Sequence, residues 1–357
     1  MQESSIFPVS ATRLPEVLIL TSQNHTDLDE HPIATTAEFG SSVPVIDIGG
    51  LRGGRADDVI KEIATACRDW GFFQVVNHGV PGELIDDVWR QMRQFFLLPR
   101  ATKESILRTR ENPWGYYNNE LTKNRRDKKE VFDYTTQGTD PIYRSDNRWP
   151  ESNDAFRATM LAYLAACTDL SLRLLEAFCV GLDLPADYLK KYFEPGHTGF
   201  IRLNHYPVED PLAGAATEEL PDADLGVHHH TDAGALTILL QDEVGGLQVH
   251  RSGCWHEIPP VEGGFVINTG DMMQVWSNDT YQAAMHRVLA MESCDRYSIP
   301  FFFNPSAETR VRPLPTVISD SRPSAYRTIN WAEFRGQRSN GDYADYGTEI
   351  QISQYRL

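Results

Sequence analysis

Apolar residues recur along the chain with two different periods, and the change falls near Gly199. Before it, the longer segments repeat every three to four residues. Between Asp57 and Trp70 the apolar positions 59, 60, 63, 64, 67 and 70 share one helical face, and Gly71 supplies a stop. From Pro81 to Phe96 the residues Leu84, Ile85, Val88, Trp89, Met92, Phe95 and Phe96 define a second helix. A long third helix is predicted over 151–180, with Phe156, Met160, Tyr163, Cys167, Leu170, Leu174 and Phe178 on its apolar side. Val43–Ile48 and Phe72–Val76 read as short strands, whereas 110–150 is polar and without period, which predicts irregular structure around the basic run 123–129. After Gly199, β-type segments recur at 199–206, 235–240, 246–250, 255–258, 264–269, 272–276, 284–289 and 296–303, bounded by Gly, Pro, Asn or Asp. Helices first and strands later predict an α+β fold, a sandwich or barrel with helices packed against it. Residues 1–42 read as a loosely attached arm with one apolar patch, Val17 to Leu20.

Composition narrows the function classes. The 357 residues are 41% hydrophobic, enough for a substantial core. Lys plus Arg total 33 against 50 for Asp plus Glu, a net charge of −17 that disfavours nucleic acid and anionic lipid as partners. Five widely spaced cysteines without a CxxC pair predict a reducing compartment. No apolar run approaches the roughly 18 residues of a membrane span, and the acidic start argues against a secretory signal. The expectation is a soluble, cytoplasmic, monomeric protein acting on a small molecule.

The densest chemical signal is His228-His229-His230-Thr231-Asp232, followed 56 residues after His230 by His286. In an extended backbone His230 and Asp232 point the same way. With an imidazole from a neighbouring strand they form one triangular face and leave three octahedral positions open, the arrangement of non-haem Fe(II) oxygenases. His228 and His229 gain nothing from this spacing and read as loop or pocket-mouth residues. In Arg296-Tyr297-Ser298 the guanidinium and the hydroxyl share a strand face and suit a carboxylate. Arg202, Asn204 and Tyr206 also share a face.

Together these elements resemble the plant-type 2-oxoglutarate/Fe(II)-dependent dioxygenases, the isopenicillin N synthase-like family. The likeness covers about 43–335 and runs from Val43-Pro44-Val45-Ile46-Asp47 through Trp70-Gly71-Phe72-Phe73, Asn77-His78-Gly79, His230-Thr231-Asp232 and Asn268-Thr269-Gly270-Asp271 to His286-Arg287-Val288 and Arg296-Tyr297-Ser298. It implies a distorted double-stranded β-helix (jelly roll) with N-terminal helices: an arm at 1–42, a helical dioxygenase region at 43–198, the catalytic core at 199–310 and a tail at 311–357, in one integrated unit. It implies Fe(II) on His230, Asp232 and His286, and 2-oxoglutarate on Arg296 and Ser298, with Tyr206 and Asn204 beside them. O2 would be consumed and ascorbate would serve as reductant. Two relatives, isopenicillin N synthase and the plant ethylene-forming oxidase, keep the Arg-x-Ser pair without using 2-oxoglutarate; the pattern Asn204-His205-Tyr206-Pro207 is more similar to the 2-oxoglutarate users.

Substrate contacts are expected from Phe302, Asn304 and Arg202 on inward strand faces, with Tyr116, Tyr117, Phe132 and Tyr134 covering the pocket. Such aromatic walls resemble the flavonoid branch, which implies hydroxylation or desaturation of a flavanone; hormones and alkaloids are the other substrate classes. The stretch 334–346 departs from common flowering-plant members. Two other classes stay open here, a catalytically silent binder of metal and 2-oxoglutarate and a zinc hydrolase, although no HExxH is present.

Overall fold

The computed structural model describes residues 28, 31–33, 42–52, 54, 56–122, 125–151, 153–194, 196–212, 225–339 and 350–357. Contacts divide the chain after His31; Leu28 and His31, joined by one backbone hydrogen bond, are all that is described of the first unit. The expected arm thus lies almost wholly outside the described residues, as do 340–349 of the C-terminal stretch.

In chain order the elements are β1 (Val45–Asp47), α1 (Ala56–Asp69), β2 (Phe72–Val76), α2 (Gly82–Phe96), α3 (Arg100–Glu104), β3 (Gly115–Tyr117), β4 (Leu121–Thr122), β5 (Arg125–Arg126), β6 (Glu130–Thr135) and α4 (Asp154–Gly181). There follow β7 (Phe200–Tyr206), β8 (Leu225–His230), β9 (Leu236–Gln241), β10 (Leu247–Arg251), β11 (Cys254–Glu257), β12 (Phe265–Thr269), α5 (Asp271–Trp276), β13 (His286–Leu289), β14 (Arg296–Phe303), β15 (Arg310–Val311), β16 (Ile329–Asn330) and α6 (Trp331–Ser339). An eight-stranded sheet in the order β1-β2-β12-β9-β14-β7-β6-β3 and a four-stranded sheet β11-β10-β13-β8 build the jelly roll.

The helices bury their periodic faces as expected. Val59, Ile63 and Cys67 of α1, Val88, Met92 and Phe95 of α2, and Phe156, Met160 and Phe178 of α4 share the larger core with one face of the big sheet. A smaller core holds Tyr206, Leu239 and Val266 of the large sheet with Val227, Val249 and Val288 of the small one. Gly71 ends α1 in the left-handed region at φ 66°, and a Cβ there would stand 2.2 Å from the Gln282 carbonyl oxygen.

Two expectations about elements are corrected. The segment 272–276 is helical, α5, with Met272, Met273, Val275 and Trp276 buried. Four apolar residues in five positions fit a buried strand and a buried helix turn equally well. The stretch 110–150 is irregular only in part: 136–150 has no regular element, whereas the residues before it carry β3, β4, β5 and β6, and β6 lies between β7 and β3 in the large sheet. Its polar side chains escape the periodic pattern because they are buried in ion pairs rather than solvated.

Candidate active site

Three side chains converge where the small sheet opens. His230 ends β8, His286 begins β13, and the two face each other across the antiparallel ladder with ring centroids 4.3 Å apart. Asp232 follows in the turn after β8, held by its carbonyl, which accepts the Asp271 backbone N–H at 2.7 Å. Each imidazole uses Nδ1 on a backbone carbonyl, His230 on His228 at 2.8 Å and His286 on Ala284 at 3.1 Å. A carbonyl only accepts, so Nδ1 carries the proton and Nε2 presents its lone pair. Both Nε2 atoms look toward Asp232 Oδ1, at 3.6 and 3.7 Å. The other oxygen, Oδ2, accepts Thr237 Oγ1 at 2.5 Å and Asn268 Nδ2 at 2.7 Å. The three ligand atoms lie within 4.8 Å of one another.

Electrostatics favour ligand protonation states. Burial, and next the neighbouring His286, hold His230 well below the usual imidazole range, so it stays neutral. Burial alone would raise the Asp232 carboxyl, but His286, His230, Thr237 and Asn268 outweigh it and keep the group below the usual carboxylate range. A neutral His230 and an ionised Asp232 suit a divalent cation.

Beside this cluster lies a cationic slot. Arg296 stands opposite Tyr206 in the β7–β14 ladder, and Ser298 opposite Asn204. The Arg296 guanidinium is fully buried and packs 4.9 Å from the Tyr206 ring centroid. Its Nη2 donates to Gln241 Oε1 at a long 3.3 Å, and Nε and Nη1 have no partner among the described residues. Asp242, the acidic neighbour, spends its oxygens on the backbone N–H groups of Val244 and Tyr297. Asn204 donates to Ser298 Oγ at 3.4 Å, and its own Oδ1 has no partner among the described residues. Unpaired buried donors of this kind are costly unless an anionic ligand satisfies them. The residues therefore fit a dicarboxylate held next to a metal.

The cavity, about 160 Å³, is larger than a water site and contains both clusters. Phe302 lines it with its ring stacked on Phe200 at 4.7 Å. Asn304 lines it too, but its Nδ2 donates to the Thr198 carbonyl at 3.2 Å. A Cβ at Gly234 would stand 2.0 Å from Asn304 Oδ1, so a side chain there would displace the Asn304 amide.

Several expectations are corrected. Arg202 reaches the cavity with its charge already matched, by Asp133 at 2.8 Å and by Glu120 at 2.8 Å. Phe132 is fully buried in a ring cluster with Phe95, Tyr134 and Phe156, and Tyr117 sits under the Arg108 guanidinium; neither lines the cavity. Tyr116 and Tyr134 spend their hydroxyls on Glu130 and on the Met160 carbonyl, also away from it. His228 and His229 are neither loop nor mouth residues: both lie on β8 and are buried.

Sequence reasoning missed the other walls. Thr122, Glu120 and Lys129 come from the β4–β5 hairpin and its flanks. Trp331, Arg335 and Arg338 come from α6, at i, i+4 and i+7, a spacing that was readable as one helix face. Arg338 donates to the Thr231 carbonyl at 2.8 Å and so ties α6 to the turn that carries Asp232.

Residues 43–152 match the family model of the non-haem dioxygenase in morphine synthesis N-terminal region, and 198–305 match that of the 2OG-Fe(II) oxygenase superfamily. Feruloyl CoA ortho-hydroxylase 1 of Arabidopsis thaliana is 37% identical over 306 residues, spanning 83% of this chain and 79% of the relative. Flavone synthase of Petroselinum crispum is 34% identical over 313 residues, 86% of this chain and 83% of the relative. The crystal structure of JOX2 in complex with 2OG, Fe and JA superposes with a TM-score of 0.75 at 29% identity, covering 89% of this chain and 90% of that one. No helix among the described residues is long and apolar enough to cross a membrane. With both family models matched and relatives aligned over most of their length, the chain belongs to the 2-oxoglutarate/Fe(II)-dependent oxygenases, enzymes that use Fe(II) and 2-oxoglutarate.

Proposed function

We propose that this oxygenase hydroxylates or desaturates a small ring-bearing metabolite, with a flavanone as the specific candidate and flavone or dihydroflavonol as product. His230, Asp232 and His286 hold the metal; Arg296 and Ser298 bind the distal carboxylate of 2-oxoglutarate, with Tyr206 and Asn204 completing that slot. Bound there, Fe(II) and 2-oxoglutarate supply O2 activation coupled to loss of CO2 and formation of succinate. The protein's own part is to fix both imidazole tautomers through backbone carbonyls, to anchor Asp232 Oδ2 so that Oδ1 faces the metal, and to exclude bulk water. The observation that carries this reading is the fully buried Arg296, whose Nε and Nη1 have no partner among the described residues, beside three convergent ligand atoms.

The substrate side rests on the Phe200–Phe302 stack as a flat wall. Arg335 packs 4.9 Å from the Phe200 ring centroid and has no carboxylate within ion-pair distance among the described residues. It supports a substrate that presents an acidic oxygen, such as a flavanone phenol, at that wall. A cytoplasmic monomer fits the acidic surface and the reduced cysteines. The test is succinate release with Fe(II), ascorbate and O2 across flavanones, a gibberellin, indole acetic acid and jasmonic acid. Stimulation by a flavanone supports the proposal. Stimulation by another compound alone moves the substrate class, and succinate formed equally with and without every compound contradicts a pocket built for this set.

A further inference from the structure

His230 occupies the last position of β8, and β8 is an edge strand of the four-stranded sheet. Its one ladder is irregular, with register shifts between His286 and Val288 and between Val288 and Leu289. An edge strand with a broken ladder holds a side chain poorly in place, because its outer N–H and C=O groups have no sheet neighbour. Residues 127–129 cover that outer edge instead. Lys128 N–H donates to the Leu225 carbonyl at 3.1 Å. Asp127 Oδ1 accepts two hydrogen bonds from one residue, the His228 backbone N–H at 3.1 Å and the His228 Nδ1 at 2.9 Å. The His228 carbonyl in turn accepts from His230 Nδ1.

The second oxygen of the same carboxylate is bound by two residues of the cavity wall. Asp127 Oδ2 accepts Thr122 Oγ1 at 2.7 Å and lies 3.2 Å from Lys129 Nζ, and both of those residues line the cavity. Asp127 N–H also donates to the Glu120 carbonyl at 3.0 Å. Asp127 has no exposed surface. We propose that Asp127 is a positioning residue for the metal centre: through His228 it fixes the orientation of His230, and it links the β4–β5 wall of the substrate cavity to that ligand. The inference rests on the reading that His230 binds the metal.

A purely structural role for Asp127 makes a different prediction. If it merely neutralises Lys129, then it is equivalent to Asp133, a buried carboxylate of the same ionic cluster whose ion pairs go to Arg108 and Arg202. The experiment is an anaerobic Fe(II) titration of the full chain, followed by saturating 2-oxoglutarate, for wild type, Asp127→Leu and Asp133→Leu, with circular dichroism as the control for folding. Asp127→Asn would keep an Oδ1 acceptor for both His228 donors, whereas Asp127→Leu removes it. Loss of a hydrogen-bond partner behind a metal ligand weakens binding about 10–100-fold. Asp127→Leu should do so and displace the visible iron–2-oxoglutarate band, whereas Asp133→Leu should stay within about threefold of wild type, as no partner of the ligands is touched. His228→Asn, which keeps a side-chain donor, should bind Fe(II) more tightly than His228→Leu, and this pair decides the matter if Asp127→Leu does not fold. Wild-type affinity and an unshifted band in folded Asp127→Leu would overturn the proposal, as would equal weakening by Asp133→Leu or equal affinities for the two His228 variants. Failure of the wild type to bind Fe(II) would overturn the metal-site reading itself, so the two failures are distinct.

Discussion

Arg296 and Tyr206 face each other across the β7–β14 ladder, and the buried guanidinium lies 4.9 Å from the ring centroid with two of its nitrogens unpartnered among the described residues. The ring shields one face of the cation from water and offers it no hydrogen bond. A carboxylate arriving in the slot gains charge-assisted bonds in a desolvated place. Removing the cation in Arg296→Ala should cost about 1.5–3 kcal/mol of 2-oxoglutarate binding, or roughly 10–150-fold in its concentration requirement. The dependence of succinate release on 2-oxoglutarate concentration measures this. An unchanged requirement would mean that another cation holds the co-substrate.

Thr237 and Asn268 matter through Asp232. Both donate to Oδ2, which turns Oδ1 toward the two imidazoles. Thr237→Val keeps the shape and deletes one donor. It should weaken Fe(II) binding about 10–100-fold while the fold persists. Asn268→Leu should do the same, and the two changes together should fall short of the sum because they act on one oxygen. Equilibrium dialysis against Fe(II) under argon reads both.

Arg335 offers a test of the substrate side that leaves the metal alone. Arg335→Gln should raise the KM for a substrate with an acidic oxygen by about 10-fold, the low end for a charge-assisted bond, and leave the 2-oxoglutarate requirement unchanged. Arg335→Lys should recover part of the loss. Equal KM values for wild type and Arg335→Gln would remove the cation from substrate recognition.

Acid stability should carry the signature of His197. Burial pushes this imidazole down to about 4 from its ordinary 6.5. Its Nδ1 accepts the Gly199 backbone N–H at 3.1 Å, which protonation would abolish. The unfolded chain therefore takes up the proton first as pH falls. Stability is complete above about pH 6.5 and declines between 6.5 and 4, on the order of 3 kcal/mol for this group. Denaturant midpoints at pH 7.5, 5.5 and 4.5 should drop less steeply in His197→Gln than in wild type. Parallel pH profiles would contradict the assignment.

The local part of the site was legible in the sequence because it is written in consecutive residues: His230, Asp232, Arg296 and Ser298 each sit in a strand or turn whose alternation fixes their side. His286 is placed opposite His230 only by the β8–β13 ladder, which no short window contains. Segment 272–276 misled because its apolar residues fit either a helix turn or a strand. Phe132 and Tyr117 misled because an aromatic residue on a strand says nothing about which face of the sheet the helices cover; Phe132 faces α2 and α4. Asp127 was hidden in a run that reads as solvated charge, and its role exists only through β8, a hundred residues away. Arg335 and Arg338 carried a readable helical spacing, but the cavity they wall is not a property of that helix alone.

The most direct test of the whole account is an anaerobic titration of the protein with Fe(II) and then 2-oxoglutarate, followed by visible absorbance, in wild type, His230→Ala and Arg296→Ala. The account predicts a charge-transfer band in wild type, none in His230→Ala, and a band in Arg296→Ala that appears at about 10-fold or more higher 2-oxoglutarate. Bound iron without a band in wild type, or a full band in His230→Ala, would contradict it.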